Sequence, residues 1–183
     1  MSRHFLRIGF TLPNFPPEGI KTEAERIVRL LESDLDFMHI RKPGAEIGNI
    51  RLLIESIPEE YHNRLRIHDH FILALEFSLA GIHLNGRNPI PLQGIDSVTR
   101  SCHSISELSN PLLNGKMPVY QTLSPVFDSI SKPGYLSNFR LDSIREDIKG
   151  LQVVALGGVT PDKFDCLRDA GFIGAAMLGC LWK

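Results

Sequence analysis

Along the chain, short apolar runs alternate with amphipathic stretches. "HFLRIGFTLP" predicts a strand that stops at Pro13. Beyond the rigid "FPPEG", "TEAERIVRLLES" predicts a helix capped by Thr22, with Glu25 three residues later. "LDFMHIRKPG" predicts a second strand ending at Lys42-Pro43-Gly44, and Ile47, Ile50, Leu53, Ile54 and Ile57 are spaced as one helix face. The unit recurs as "RLRIH" with "HFILALEFSLAG", and as "GIHLNGRN" with "PIPLQGID", where prolines leave the fourth helix short or lost. "SVTRSCHS" with "ISELSNPLL", "PVYQTLSPVF" with "LDSIREDI", "LQVVALGGV" with "TPDKFDCLRDAG", and finally "FIGAAMLGCLW" complete eight strands. Strands alternating with helices pair in parallel, and eight such units predict a closed (β/α)8 barrel, one domain over residues 1–183.

Length changes the picture first. A barrel of this kind usually takes about 250 residues, so 183 residues demand short loops and leave no last helix. A doubly wound open sheet is the alternative, but "GFTLPNFPPEG" does not carry the GxGxxG glycines that sheet would use for a dinucleotide. Twenty basic and 21 acidic side chains, in no long run, give a net charge of −1, so no footprint for nucleic acid is expected and any bound anion is held locally. Arg7 interrupts the apolar N-terminal run and no stretch of about 18 apolar residues occurs, so neither a secretory leader nor a membrane span is expected. Cys102, Cys166 and Cys180 share no CxxC spacing, which fits a reducing cytoplasm. Apolar side chains near Leu181 and Trp182, beside the missing helix, predict a surface that a homodimer would cover.

Candidate chemistry lies in the polar stretches that follow each strand, because a parallel barrel directs all strand ends to one rim. In "LGGVTPDKF", Gly157 and Gly158 allow close backbone approach to a ligand, while Thr160 and Pro161 open a helix. With Gly179 after the last strand this is the usual place for a phosphate, the other reading being a tight turn. Arg41 places a fork of donors suited to diphosphate at the rim, unless it is simply exposed there. "HDH" at 68–70 has three readings: a zinc chelate of His68 and His70 with His83 or His103, as in a zinc-dependent hydrolase; an oxygen ligand for magnesium at Asp69; or a helix cap by Asp69. His83 and His103 serve equally as structural hydrogen-bonders, and Asn85 and Asn88 as turn residues.

Taken together and in order, these strand ends resemble the thiamine phosphate synthase family, which includes the thiazole tautomerases. "HIRKPG" is similar to the family's Gln-x-Arg-Glu-Lys-Gly, and "IHDHFILALEFSLAGIHLNGRN" to its Asn-Asp and Gly-(Val/Ile)-His-Leu-Gly-Gln-x-Asp motifs. "RSCHS", "LSPVFDSISKPG" and "VVALGGVTPDKFDCLRDAGFIGAAMLG" match its remaining strand ends. The resemblance implies a (β/α)8 fold and the joining of a pyrimidine-methyl diphosphate to a thiazole phosphate with magnesium. It assigns Arg41, Lys132 and Ser101 to the diphosphate and Asp69 and Asn88 to the metal. It assigns Ser129, Ser131, Gly158 and Gly179 to the thiazole phosphate; Gly157, His39, His68 and His103 are further candidates for substrate binding.

Three departures mark this chain. Pro43 stands at the family's lysine, His68 at its asparagine, and Asn88 at its second metal-binding aspartate. Loss of one carboxylate removes a full charge from a magnesium site, so diphosphate binding weakens unless His68, Arg87 or Lys42 compensates. A related non-synthase protein, binding thiazole phosphate or isomerising it, is the alternative; but Pro125 occupies the place of the tautomerases' catalytic histidine, leaving His103 or His68 for proton transfer.

Overall fold

The computed structural model describes residues 4–112, 114–128, 136–137 and 139–182. All eight expected strands form: β1 (Leu6–Phe10), β2 (Phe37–Ile40), β3 (Leu65–Ile67), β4 (Gly81–Leu84), β5 (Val98–Cys102), β6 (Gln121–Leu123), β7 (Val153–Leu156) and β8 (Gly174–Met177). They lie in sequence order in one closed barrel, which is the (β/α)8 architecture and excludes the open sheet. Among the described residues the α-helices are α1 (Ile20–Ser33), α2 (Ile47–Glu55), α3 (Ile72–Glu76), α4 (Ile105–Leu108), α5 (Leu141–Asp147) and α6 (Phe164–Asp169). The chain divides into two compact units, Gly9–Val98 and Met1–Ile8 with Thr99–Lys183.

In the unit Gly9–Val98, β2 pairs in parallel with β3 and β3 with β4, setting His39 opposite Arg66 and Ile67 opposite Ile82. Helix α1 buries Ala24, Ile27 and Leu31, and α2 buries Ile50, Leu53 and Ile54. One expected cap, and one of the three readings of Asp69, are corrected. Helix α1 begins at Ile20 behind Gly19, so Thr22 lies within the first turn and its hydroxyl donates to the Glu18 carbonyl at 3.3 Å. Helix α3 begins after Phe71 with no side-chain cap, because the Asp69 carboxylate is engaged by Arg87 and Asn88 instead. Between β4 and β5 the chain forms no helix, as Pro89 and Pro91 require.

In the other unit, β5 to β8 pair successively in parallel, with Ser101 opposite Thr122 and Leu156 opposite Ala176. The backbone of Leu6 in β1 donates to the Ile173 carbonyl at 2.9 Å, just before β8. Helix α4 is four residues long, and residues 178–182 form turns without a helix. Leu181 and Trp182 are half-buried rather than exposed, so the apolar surface expected of them is already partly covered. Among the described residues no helix is long and apolar enough to cross a membrane.

Candidate functional site

The unit Gly9–Val98 carries the polar cluster that follows β2, β3 and β4. Arg41 and Lys42 follow β2 directly. The Thr11 hydroxyl accepts from the Arg41 backbone N–H at 2.9 Å, which fixes where that side chain departs. Burial first, and then the neighbouring Arg87, lower the Arg41 guanidinium from its ordinary value, while Asp69 opposes them. Lys42 turns away. Its ammonium donates to Glu23 Oε1 at 2.5 Å and to the Asn14 carbonyl at 2.9 Å, lies 4.6 Å from the centre of the Phe15 ring, and is buried. Burial pushes Glu23 up and Lys42 down, and their pairing opposes both shifts. This ion pair ties the end of β2 to α1; the sequence signal for it was only a glutamate within an apolar helix face.

Asp69 follows β3 and Asn88 follows β4. The Asn88 amide nitrogen donates to Asp69 Oδ1 at 2.8 Å and to the His68 carbonyl at 3.0 Å. Since both partners accept, the amide must present its NH₂ to them. Arg87 Nη2 meets the two Asp69 oxygens at 3.3 and 3.4 Å. Asn85 fixes the loop: its side-chain oxygen accepts from the backbone of Arg87 and Asn88, and its amide donates to the His68 carbonyl. Magnesium takes oxygen ligands at about 2.0–2.1 Å in a near-octahedral set. Here the single carboxylate is met by nitrogen donors and a guanidinium, and the second position offers it an NH₂. These side chains as arranged do not fit a resident magnesium ion.

The zinc chelate of His68 and His70 is corrected. His70, with φ of 53°, points its Nε2 at the Ala45 carbonyl, 2.8 Å away, whereas His68 is buried beside His39 and His83. The nitrogens His39 Nδ1 and His68 Nε2 share a hydrogen bond of 2.9 Å. His68 stacks on His83 with ring centres 4.2 Å apart, and His39 stacks on Phe10 at 4.6 Å. The three ring-nitrogen ligands lie within 4.8 Å of one another, but two of the rings are stacked face to face rather than converging on one point as zinc ligands must. Burial, reinforced by the mutual proximity of the rings and by Arg66 and Arg41, holds His39 and His68 well below the usual histidine range and pushes His83 down to about 3. The cluster is neutral near pH 7. Its signal in the sequence was one histidine in each of three successive segments, "FMHI", "RIHD" and "GIHL".

The other unit carries the second group of expected residues. Ser101 lies in β5 and is half-buried. His103 Nδ1 lies 3.1 Å from the Ser124 carbonyl, and the His103 backbone N–H donates to Glu107 Oε2 at 2.9 Å. Gly157 and Gly158 follow β7 with φ of 93° and 61°. A Cβ at Gly157 would come within 2.7 Å of Pro125 Cα, and one at Gly158 within 2.3 Å of the Asp128 carbonyl oxygen. Both glycines are therefore required by backbone conformation and by the strand end alongside, where Phe127 N–H donates to the Gly157 carbonyl at 3.1 Å. Lys163 donates to the Gly158 carbonyl at 2.7 Å and sits 4.2 Å over the Phe127 ring. At Gly179 a Cβ would meet nothing within 4 Å, so no packing among the described residues explains glycine there. Ser129, Ser131 and Lys132 lie outside the described residues.

A model of the family described as thiamine monophosphate synthase matches residues 17–181. The chain is similar to a thiamine-phosphate synthase of Cronobacter sakazakii, 24% identical over 171 residues, which span 86% of this chain and 80% of that protein. The crystal structure of a thiamine phosphate pyrophosphorylase from Bacteroides thetaiotaomicron is 36% identical, with a TM-score of 0.80 over 97% of this chain and 85% of that one. A thiamine phosphate pyrophosphorylase from Pyrococcus furiosus shares the fold at 17% identity, with a TM-score of 0.75 over 95% and 85% of the two chains.

Proposed function

Because the chain belongs to the thiamine monophosphate synthase family, we propose that it joins a pyrimidine-methyl diphosphate to a thiazole phosphate, releasing thiamine phosphate and diphosphate, in the cytoplasm. The observation that carries this reading is the match of the family across residues 17–181; a glycine turn following β7 and Arg41 following β2 support it. Neither the tautomerase-like nor the zinc-hydrolase alternative is favoured. Pro125 removes the histidine of the first, and His70 is turned away from the chelate of the second.

In the reaction, the C–O bond of the pyrimidine methylene breaks, its electron pair leaves with the diphosphate, and the thiazole nitrogen lone pair forms the new C–N bond. The protein moves no proton in these steps. Its work is to neutralise the departing anion and to orient the two substrates. Arg41, Ser101 and Lys132 take the diphosphate. Ser129 and Ser131, with the Gly157–Gly158 turn and Gly179, hold the thiazole phosphate, and His103 borders it. His39 and His68, buried in the imidazole stack and neutral near pH 7 by that burial, lie beneath the pyrimidine site and add no positive charge where a carbocation develops. Enzymes of this family are generally magnesium-dependent; Asp69 and Asn88 stand at the metal positions with the poor fit described above. Incubation of the purified protein with both precursors, with thiamine phosphate detected chromatographically, tests the reading. Accumulation of thiamine phosphate supports it, and no product at saturating substrates, with and without magnesium, refutes it.

A further inference from the structure

Asn88 deprives this chain of one metal-binding carboxylate, and three side chains were candidates to make good the lost attraction for diphosphate. Two are otherwise engaged. Lys42 is buried and paired with Glu23, and His68 is buried within a neutral imidazole stack. Arg87 is different. Its side chain is 45% exposed and faces an Asp69 that is 16% exposed, an ion pair of the half-solvated kind that contributes little to stability. One nitrogen, Nη2, makes both contacts with the carboxylate, while a guanidinium carries five N–H donors in a planar fork that suits phosphate oxygens. The loop that carries Arg87 is fixed, because the Asn85 side-chain oxygen accepts from its backbone at 3.0 Å. Asn88 at 2.8 Å holds Asp69 in place independently, so Arg87 is free to exchange part of its contact with the carboxylate for a stronger anion without unmaking the loop.

We infer that Arg87 is a diphosphate-binding residue of this chain, supplying from its loop the positive charge that a divalent cation would bring, so that diphosphate binds without one. The inference rests on the diphosphate reading above, but its test does not depend on turnover. Inorganic diphosphate is titrated calorimetrically into the protein in EDTA and again in magnesium. The parent is expected to bind in both, with affinities within about threefold, and Arg87→Gln to lose about tenfold or more in EDTA. The double variant Arg87→Gln/Asn88→Asp, which restores a second carboxylate and removes the guanidinium, is expected to bind only with magnesium. Parent binding that requires magnesium, or an Arg87→Gln protein that binds as tightly as the parent in EDTA, overturns the inference. Arg87→Ala carries the same expectation if Arg87→Gln folds poorly. Metal-free diphosphate binding in a protein that forms no thiamine phosphate would reject the synthase reading and keep Arg87; turnover in a protein whose diphosphate binding needs magnesium would do the reverse.

Discussion

Gly158 and Arg41 show how single residues set this site in opposite ways, one by what it lacks and one by what it carries. At Gly158 a Cβ would lie 2.3 Å from the Asp128 carbonyl oxygen with φ of 61°. Gly158→Ala is therefore expected to destabilise the fold by about 1–3 kcal/mol and to weaken binding of the thiazole phosphate, with a thermal melt and a calorimetric titration as the checks. An unchanged melt would mean that the turn relaxes easily. With Arg41 in its proposed role at the diphosphate, loss of the guanidinium would remove charge stabilisation as that anion departs, so Arg41→Ala is expected to lower kcat by about 10²–10³-fold. A steady-state assay in which only KM rises would instead assign Arg41 to ground-state binding alone.

At the scale of elements, the ion pair between Lys42 and Glu23 joins the end of β2 to α1 with both side chains fully enclosed. Removing one partner leaves a buried charge alone, so Lys42→Met is expected to cost about 3–5 kcal/mol in urea denaturation, and Lys42→Met with Glu23→Leu to recover most of that loss. Equal losses in the single and double variants would show that the pair is not the source. Some of this organisation is legible in the sequence and some is not. Strands and the faces of α1 and α2 were legible because apolar period and turn residues are local signals. That Lys42, a possible compensator beside Arg41, is instead held by Glu23 was not, since only the partner on α1 separates the two adjacent cations. Similarly, Asp69 as a helix cap and as a metal ligand look alike in "HDH", until Arg87 and Asn88 from the next strand end are seen to hold it.

At the scale of the whole molecule, the eightfold alternation made the barrel legible, and the prolines at 89 and 91 made its missing helix legible too. The enclosure of three histidines was not, because the same residues at strand ends suit a wet rim equally well. That enclosure has a pH consequence. His39, His68 and His83 have folded-state values depressed below the ordinary histidine value, to about 3 for His83. Between that value and about 6.5 the unfolded chain binds protons that the folded chain refuses, so stability rises with pH across this window. Above about 6.5 these groups contribute no further slope. Urea midpoints measured from pH 7 down to pH 5 are expected to fall, and a His83→Asn protein to show a shallower fall; a parallel decline in both would place the acid sensitivity elsewhere.

The most direct test of the synthase reading is the stoichiometry of a single reaction mixture: purified protein, the pyrimidine-methyl diphosphate and the thiazole phosphate, with thiamine phosphate and released diphosphate both quantified. One thiamine phosphate for each diphosphate, with both lost together in Arg41→Ala, is the predicted result. Diphosphate release without thiamine phosphate, or neither product from a protein that binds both substrates, would contradict it.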